Sequence, residues 1–266
     1  MTALDSVLEK CRAENRAALI AYIPAGFPSR QGCLKVIQTL VDAGVDAIEI
    51  GFPYSDPVMD GPVIQEAADI SLKGGTGSTE VFEALKVASD TGTASVVMTY
   101  WNPIERYGVE KFAASIAENG GAGVITPDLT IEESETWLAA TKANSINPIY
   151  VVAPSTKDPR LVRVTSKTGG FVYAASSMGV TGTRESVSID AKDLVSRIRK
   201  VSDLPVCVGL GVSTRDQAKS LAAYADGVIV GSAFIKLLLN AKDEQAGLEA
   251  VSQLAKELAI GVREGR

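Results

Sequence analysis

The chain has 266 residues, 46% of them apolar and 22% charged, and a formal net charge of −6. That balance reads as a globular protein with a large core, and it removes the electrostatic case for a nucleic-acid or anionic-membrane partner. Histidine is absent, which excludes the usual general base, the histidine-containing triads and the commonest metal ligand.

Charges recur through the first ten residues without an apolar signal core, and no apolar run reaches the length of a membrane span, so a cytoplasmic location is expected. A helix is predicted over 3–14, with Leu4, Val7, Leu8 and Cys11 on one stripe. Standing before the first strand, it is placed to cap the bottom of a barrel. An apolar strand at 17–23 follows. Ser29 offers an N-cap for a helix over 30–43, which Gly44 ends. The second strand is 47–51. A helix after Pro62 stops at Lys73-Gly74-Gly75, and Ser78 or Thr79 can cap the next, over 79–90.

The alternation then repeats. Strands are predicted at 95–100, 123–126, 148–152, 170–174, 205–209 and 227–230. Helices are predicted at 109–118, 131–141, 158–167, 190–200 and 214–223. A short extra helix opens at Gly231-Ser232 and runs to 239, and a last helix covers 243–262. Eight strand–helix units without a composition break imply an α/β protein, a single (β/α)8 TIM barrel spanning 1–266. An open doubly wound sheet is the alternative, but it does not require eight regular units. Cys11, Cys33 and Cys207 have no metal spacing and read as reduced, buried thiols.

In a barrel the chemistry sits at the C-terminal ends of the strands. Ala47, Glu49 and Gly51 share one face of the second strand, and Ile48 and Ile50 the other. A carboxylate inside a strand is costly unless it is paired or used. Asp56 and Asp60 follow in a loop rich in Gly and Pro. Asp60 could serve chemistry or simply cap the helix after Pro62. A second long polar loop, 176–184, contains Thr181, Gly182 and Arg184. Gly209-Leu210-Gly211 after the seventh strand, with Gly231-Ser232 opening the extra helix, fits an anion held by backbone N–H groups. Those glycines could also merely turn the chain. Tyr22, Tyr100 and Tyr173 stand at strand ends, where they either line a pocket or fill the barrel mouth. No predicted strand contains lysine, which removes a Schiff-base aldolase, and the lack of histidine removes a metal aldolase of the usual kind. Acid/base work by carboxylates on a phosphorylated small molecule remains.

The run from Glu49-Ile50-Gly51-Phe52-Pro53-Tyr54-Ser55-Asp56-Pro57 through Asp60-Gly61-Pro62 resembles the tryptophan synthase alpha chain family. So do Tyr100-Trp101-Asn102-Pro103-Ile104, Tyr107-Gly108, Gly179-Val180-Thr181-Gly182-Thr183-Arg184, Gly209-Leu210-Gly211-Val212 and Val230-Gly231-Ser232-Ala233. Three positions depart from the family's commoner pattern: Phe27 in Gly-Phe-Pro, Thr130 after Asp128-Leu129, and Tyr22 where Phe is frequent.

The resemblance implies a lyase of tryptophan biosynthesis that cleaves indole-3-glycerol phosphate to indole and glyceraldehyde 3-phosphate. It implies Glu49 as the acid and base, Asp60 on the indole N–H, and Tyr173 orienting Glu49 or the hydroxyl. Tyr22, Tyr100, Thr181 and Leu210 would contact the substrate, and Gly182, Gly211, Gly231 and Ser232 would hold the phosphate. The implied partner is a beta chain in an α2β2 assembly. Pyridoxal phosphate belongs to that partner, with no cofactor or metal in this chain. A free-standing lyase and a non-catalytic activator of the beta chain are the other readings.

Overall fold

A computed structural model describes residues 1–175, 184–209 and 211–266. Its strands are β1 (Ala18–Pro24), β2 (Ala47–Gly51), β3 (Ala94–Met98), β4 (Gly123–Ile125), β5 (Asn147–Ile149), β6 (Val151–Val152), β7 (Val172–Ala175), β8 (Val206–Gly209) and β9 (Gly227–Val230). The helices of the first half are α1 (Ala3–Ala13), α2 (Arg30–Asp42), α3 (Pro62–Lys73), α4 (Ser78–Asp90), α5 (Trp101–Tyr107) and α6 (Val109–Glu118). Those of the second half are α7 (Glu135–Ala143), α8 (Asp158–Thr165), α9 (Arg184–Arg199), α10 (Arg215–Ala222), α11 (Ser232–Leu239) and α12 (Glu244–Arg263).

All strand pairs are parallel. The order is β5-β4-β3-β2-β1-β9-β8-β7-β6. The two ends of that series, β5 and β6, are separated in the chain by Tyr150 alone. The sheet therefore closes on itself, and the predicted barrel is present. The expected fifth strand over 148–152 is corrected to two short segments: β5 pairs with β4, and β6 pairs with β7. Tyr150, buried between them, is where the ladder changes neighbour.

Two apolar layers follow from the period-two alternation of the strands. The larger lies between the sheet and the surrounding helices. The smaller fills the barrel, where Ala18, Ile20, Ala47, Ala94, Val96 and Ile229 meet Leu4, Leu8 and Cys11 of α1. The leading helix thus plugs the barrel floor, as its stripe suggested. A reciprocal cap starts it: Asp5 N–H donates to Thr2 Oγ1 at 3.3 Å, and Thr2 N–H donates to Asp5 Oδ2 at 2.7 Å. Asn147 Nδ2 on β5 donates to Thr2 Oγ1 and Asp5 Oδ1, at 3.0 Å each, and ties that cap to the barrel.

Ser29 caps α2 as expected, accepting Gly32 N–H at 3.0 Å, and Gly44 leaves that helix at φ 89°. Neither Ser78 nor Thr79 caps α4. Gly77 takes the N-cap position and donates its N–H to Glu80 Oε2 at 2.9 Å. The third strand ends at Met98 rather than at 100, and α5 was not foreseen. Its start is set from a distance, because the Asp128 carboxylate accepts Trp101 N–H at 2.9 and 3.1 Å. Gly108, at φ 99°, separates α5 from α6. Helix α7 starts at Glu135 rather than 131, and α9 starts at Arg184 rather than 190.

Candidate active site

The C-terminal ends of β1, β2, β3, β7, β8 and β9 surround a cavity of about 240 Å3. Its lining includes Tyr22, Glu49, Met98, Tyr173, Gly209 and Ile229 from the barrel. Met59, Asp60 and Ile64 come from the β2–α3 connection and the start of α3, and Gly211, Gly231 and Ser232 from the loops after β8 and β9. The expected acid, two of the three tyrosines and the expected phosphate groups after β8 and β9 therefore meet in one place.

Glu49 is 1% exposed, and neither carboxylate oxygen has a hydrogen-bond partner among the described residues. Burial in an apolar strand disfavours the charged form, and the Asp60 charge adds to it, so its pKa is pushed up to about 8. Asp60 is raised by burial to about 6, against a lowering by the Tyr100 hydroxyl. The two carboxyls are thus held apart on the pH scale, one largely neutral and one largely ionised near neutrality. Asp60 does not cap α3: the N-cap is Gly61 without a side-chain bond, and only the Asp60 backbone carbonyl serves the helix, accepting Gln65 Nε2 at 2.7 Å. Asp56 is exposed and lies outside the cavity lining.

The tyrosines divide in role. Tyr22 and Tyr173 line the cavity, and burial pushes both phenols well above the usual tyrosine range. Tyr100 does not line it. Tyr100 is buried behind Asp60, where its hydroxyl accepts Met59 N–H at 3.2 Å. Tyr100, expected among the substrate contacts, stands behind the loop and not in the cavity wall. Its ring leaves the barrel at the N-cap of α5, after β3 has ended.

The strand-end glycines have a steric reason that their spacing did not reveal. A Cβ at Gly209 would sit 2.6 Å from the Tyr173 hydroxyl, and one at Gly231 would sit 2.8 Å from Tyr22 Cδ1. Both glycines make room for the phenols that wall the cavity. Gly231 is also the N-cap of α11, so the first N–H groups of that helix and the Ser232 hydroxyl face the same end of the site. Thr181, Gly182 and Leu210 lie outside the described residues. Sequence reasoning missed Met59, Ile64, Met98 and Ile229. Met98 and Ile229 were within reach, since 94, 96 and 98 on β3 and 227 and 229 on β9 share the inward face.

Among the described residues, no group of three or more Cys, Asp or Glu side chains gathers to hold a metal ion. No described helix is long and apolar enough to cross a membrane.

A family model described as tryptophan synthase alpha chain matches residues 8–263. The tryptophan synthase alpha chain of Streptomyces avermitilis is 56% identical over 263 residues, covering 98% of this chain and 95% of its own length. That of Thermobifida fusca is 52% identical over 266 residues, covering 99% and 98%. A chain of the Mycobacterium tuberculosis tryptophan synthase structure superposes with a TM-score of 0.92 at 47% identity, covering 98% of each chain. Tryptophan synthase subunit alpha from Legionella pneumophila superposes at 0.89 with 31% identity, covering 98% of each.

Proposed function

Since the chain belongs to the tryptophan synthase alpha chain family, we propose that it works as a carbon–carbon lyase. It cleaves indole-3-glycerol phosphate to indole and glyceraldehyde 3-phosphate and delivers the indole to a beta chain. The observation that carries this reading is Glu49: a buried carboxyl in the wall of the cavity, without a hydrogen-bond partner among the described residues, and with Asp60 beside it.

Glu49, protonated at neutral pH, gives its proton to the indole ring carbon that bears the side chain. The ring becomes an iminium whose positive charge is shared with N1, and Asp60, ionised and accepting the ring N–H, stabilises that charge. Glu49, now a carboxylate, takes the proton of the side-chain hydroxyl. The carbon–carbon bond breaks, its electron pair returns to the ring, and the aldehyde forms. The proton count closes with no water consumed. One carboxyl can serve both transfers because its pKa lies near the working pH. Tyr173 orients the hydroxyl or Glu49, and Tyr22 packs on the substrate. Gly211, Gly231 and Ser232, with the N–H groups of α11, hold the phosphate and fix the reacting atoms from a distance. Thr181, Gly182 and Leu210 complete the substrate and phosphate contacts in this reading.

The partner is a beta chain in an α2β2 assembly in the cytoplasm, and pyridoxal phosphate chemistry belongs to that partner. The test is glyceraldehyde 3-phosphate release by the purified chain, with and without a beta chain, for the parent and Glu49→Gln. Slow release, raised by the beta chain and lost in the variant, is expected. Fast release indifferent to the beta chain would instead identify a free-standing lyase. Release retained by Glu49→Gln would remove Glu49 from the mechanism.

A further inference from the structure

Asp60 belongs to a connection of ten residues, 52–61, with no secondary structure of its own. Such a segment gains its order from what it touches. Its one catalytic carboxyl must nevertheless stay aimed at a fixed atom of the substrate.

One hydroxyl meets this segment twice. Tyr100 Oη accepts Met59 N–H at 3.2 Å, and the same hydroxyl stands close enough to the Asp60 carboxyl to lower its pKa. A phenol that accepts through a lone pair keeps its one hydrogen for the carboxyl beside it. The Tyr100 ring packs on Tyr54, earlier in the same segment, with centroids 5.2 Å apart. Tyr54 is itself held at its hydroxyl by Asn102 Nδ2 at 3.1 Å. Tyr100 has little freedom of its own: it is 3% exposed, it precedes α5, and Asp128 fixes the next residue's N–H. Three successive strand ends thus converge on the placement of one acid.

We propose that Tyr100 is the positioning residue for Asp60, holding the β2–α3 segment and its carboxyl against the cavity by the bond of its hydroxyl to Met59 N–H and the contact of its ring with Tyr54, without touching the substrate. This rests on the reaction proposed above. The charged and titratable groups that face Asp60 are Glu49 on β2, Tyr22 on β1, Tyr173 on β7 and Tyr100 after β3. Of these, Tyr100 is the one whose hydroxyl lowers the Asp60 pKa.

The test is Tyr100→Phe, which keeps the ring on Tyr54 and removes the hydroxyl. Two readouts are needed. The first is the Asp60 carboxyl titration, followed by carbon-13 NMR of aspartate-labelled protein and assigned with Asp60→Asn. The second is steady-state cleavage with a beta chain present. Removing the donor should raise the Asp60 pKa and carry the acid limb of the pH profile to higher pH. The same change should lower kcat by about ten- to a hundredfold, the usual worth of a hydrogen bond to a charged group, while KM stays within about threefold. An unchanged Asp60 titration would overturn the proposal. So would a raised KM with kcat intact, which would mean that Tyr100 contacts the indole. A parent protein that releases no glyceraldehyde 3-phosphate would sink the reaction instead, and the titration would still decide the role of Tyr100.

Discussion

Tyr22 and Glu49 are register partners across the β1–β2 ladder, so their side chains leave the sheet on the same face. The tyrosine hydroxyl then takes the space that a side chain at Gly51 would fill, since a Cβ there would lie 2.3 Å from it. Gly51 is the next inward position after Glu49 on the same strand. The Glu49 carboxyl is therefore bounded on its mouth side by a phenol. Burial, then the charges of Asp60 and Glu49, keep that phenol protonated.

The pH dependence of cleavage follows from the two carboxyls. In the proposed reaction Glu49 starts protonated and Asp60 starts ionised, with pKa values of about 8 and about 6. A bell-shaped profile of kcat/KM for the parent protein is expected, with its plateau between those values. The limbs belong to the interacting pair rather than to either residue alone. A profile that keeps rising above pH 9 would remove Glu49 as the initial acid.

Glu49 also makes stability depend on pH. Its pKa is raised from 4.5 in a free chain to about 8 in the fold. Its contribution is therefore full below about pH 4.5 and is lost as pH climbs towards 8. Glu49→Gln cannot ionise and escapes that loss. Denaturant unfolding of the two proteins at pH 5 and pH 8 should show the difference moving in favour of the variant by about 3 kcal/mol. A difference that does not vary with pH would mean that Glu49 is solvated in the native state.

Gly209 makes room for a hydroxyl. In Gly209→Ala the new Cβ meets the Tyr173 hydroxyl at 2.6 Å, whereas the next ring atoms lie at 3.3 Å. The single variant should lose about 1–3 kcal/mol by overpacking, and Gly209→Ala with Tyr173→Phe should recover most of it. A double-mutant cycle on thermal unfolding reads the coupling. Additive effects would show that the glycine serves the backbone and not the phenol.

Ser232 opens α11 and lines the cavity. If its hydroxyl holds the phosphate, Ser232→Ala removes a contact made equally in the ground and transition states. KM for indole-3-glycerol phosphate should rise by about three- to tenfold with kcat nearly unchanged. An unaltered KM would move the phosphate away from this end of the site.

The barrel was legible because its signals are local. Apolar strands alternate with helical stripes, and residues such as Ser29 mark their boundaries within one turn. Glu49 was legible for the same reason, as a charge in the middle of an apolar strand. Helix α5 was not, because the carboxylate that caps it belongs to Asp128, 27 residues on. The break at Tyr150 was not, because it is set by which neighbour each half of the strand finds. Gly209 and Gly231 were recognised as special, but as anion holders or chain turns and not as room for a side chain. Their steric reason depends on Tyr173 and Tyr22, one 36 positions upstream of Gly209 and the other at the far end of the chain. The place of Tyr100 behind Asp60 is likewise a relation between two loops, invisible to any local pattern.

The plug made by α1 gives the barrel two chambers in the sense of host–guest chemistry. The upper one is the cavity that Glu49, Asp60 and Ser232 line. The lower one, ringed by Ala18, Ala47 and Ala94, already holds guests, Leu4 and Leu8 of the same chain. Shortening those two side chains would create a dry, apolar receptor at the opposite end of the barrel from the carboxyls. A probe such as xenon could enter it without competing with a phosphorylated molecule above.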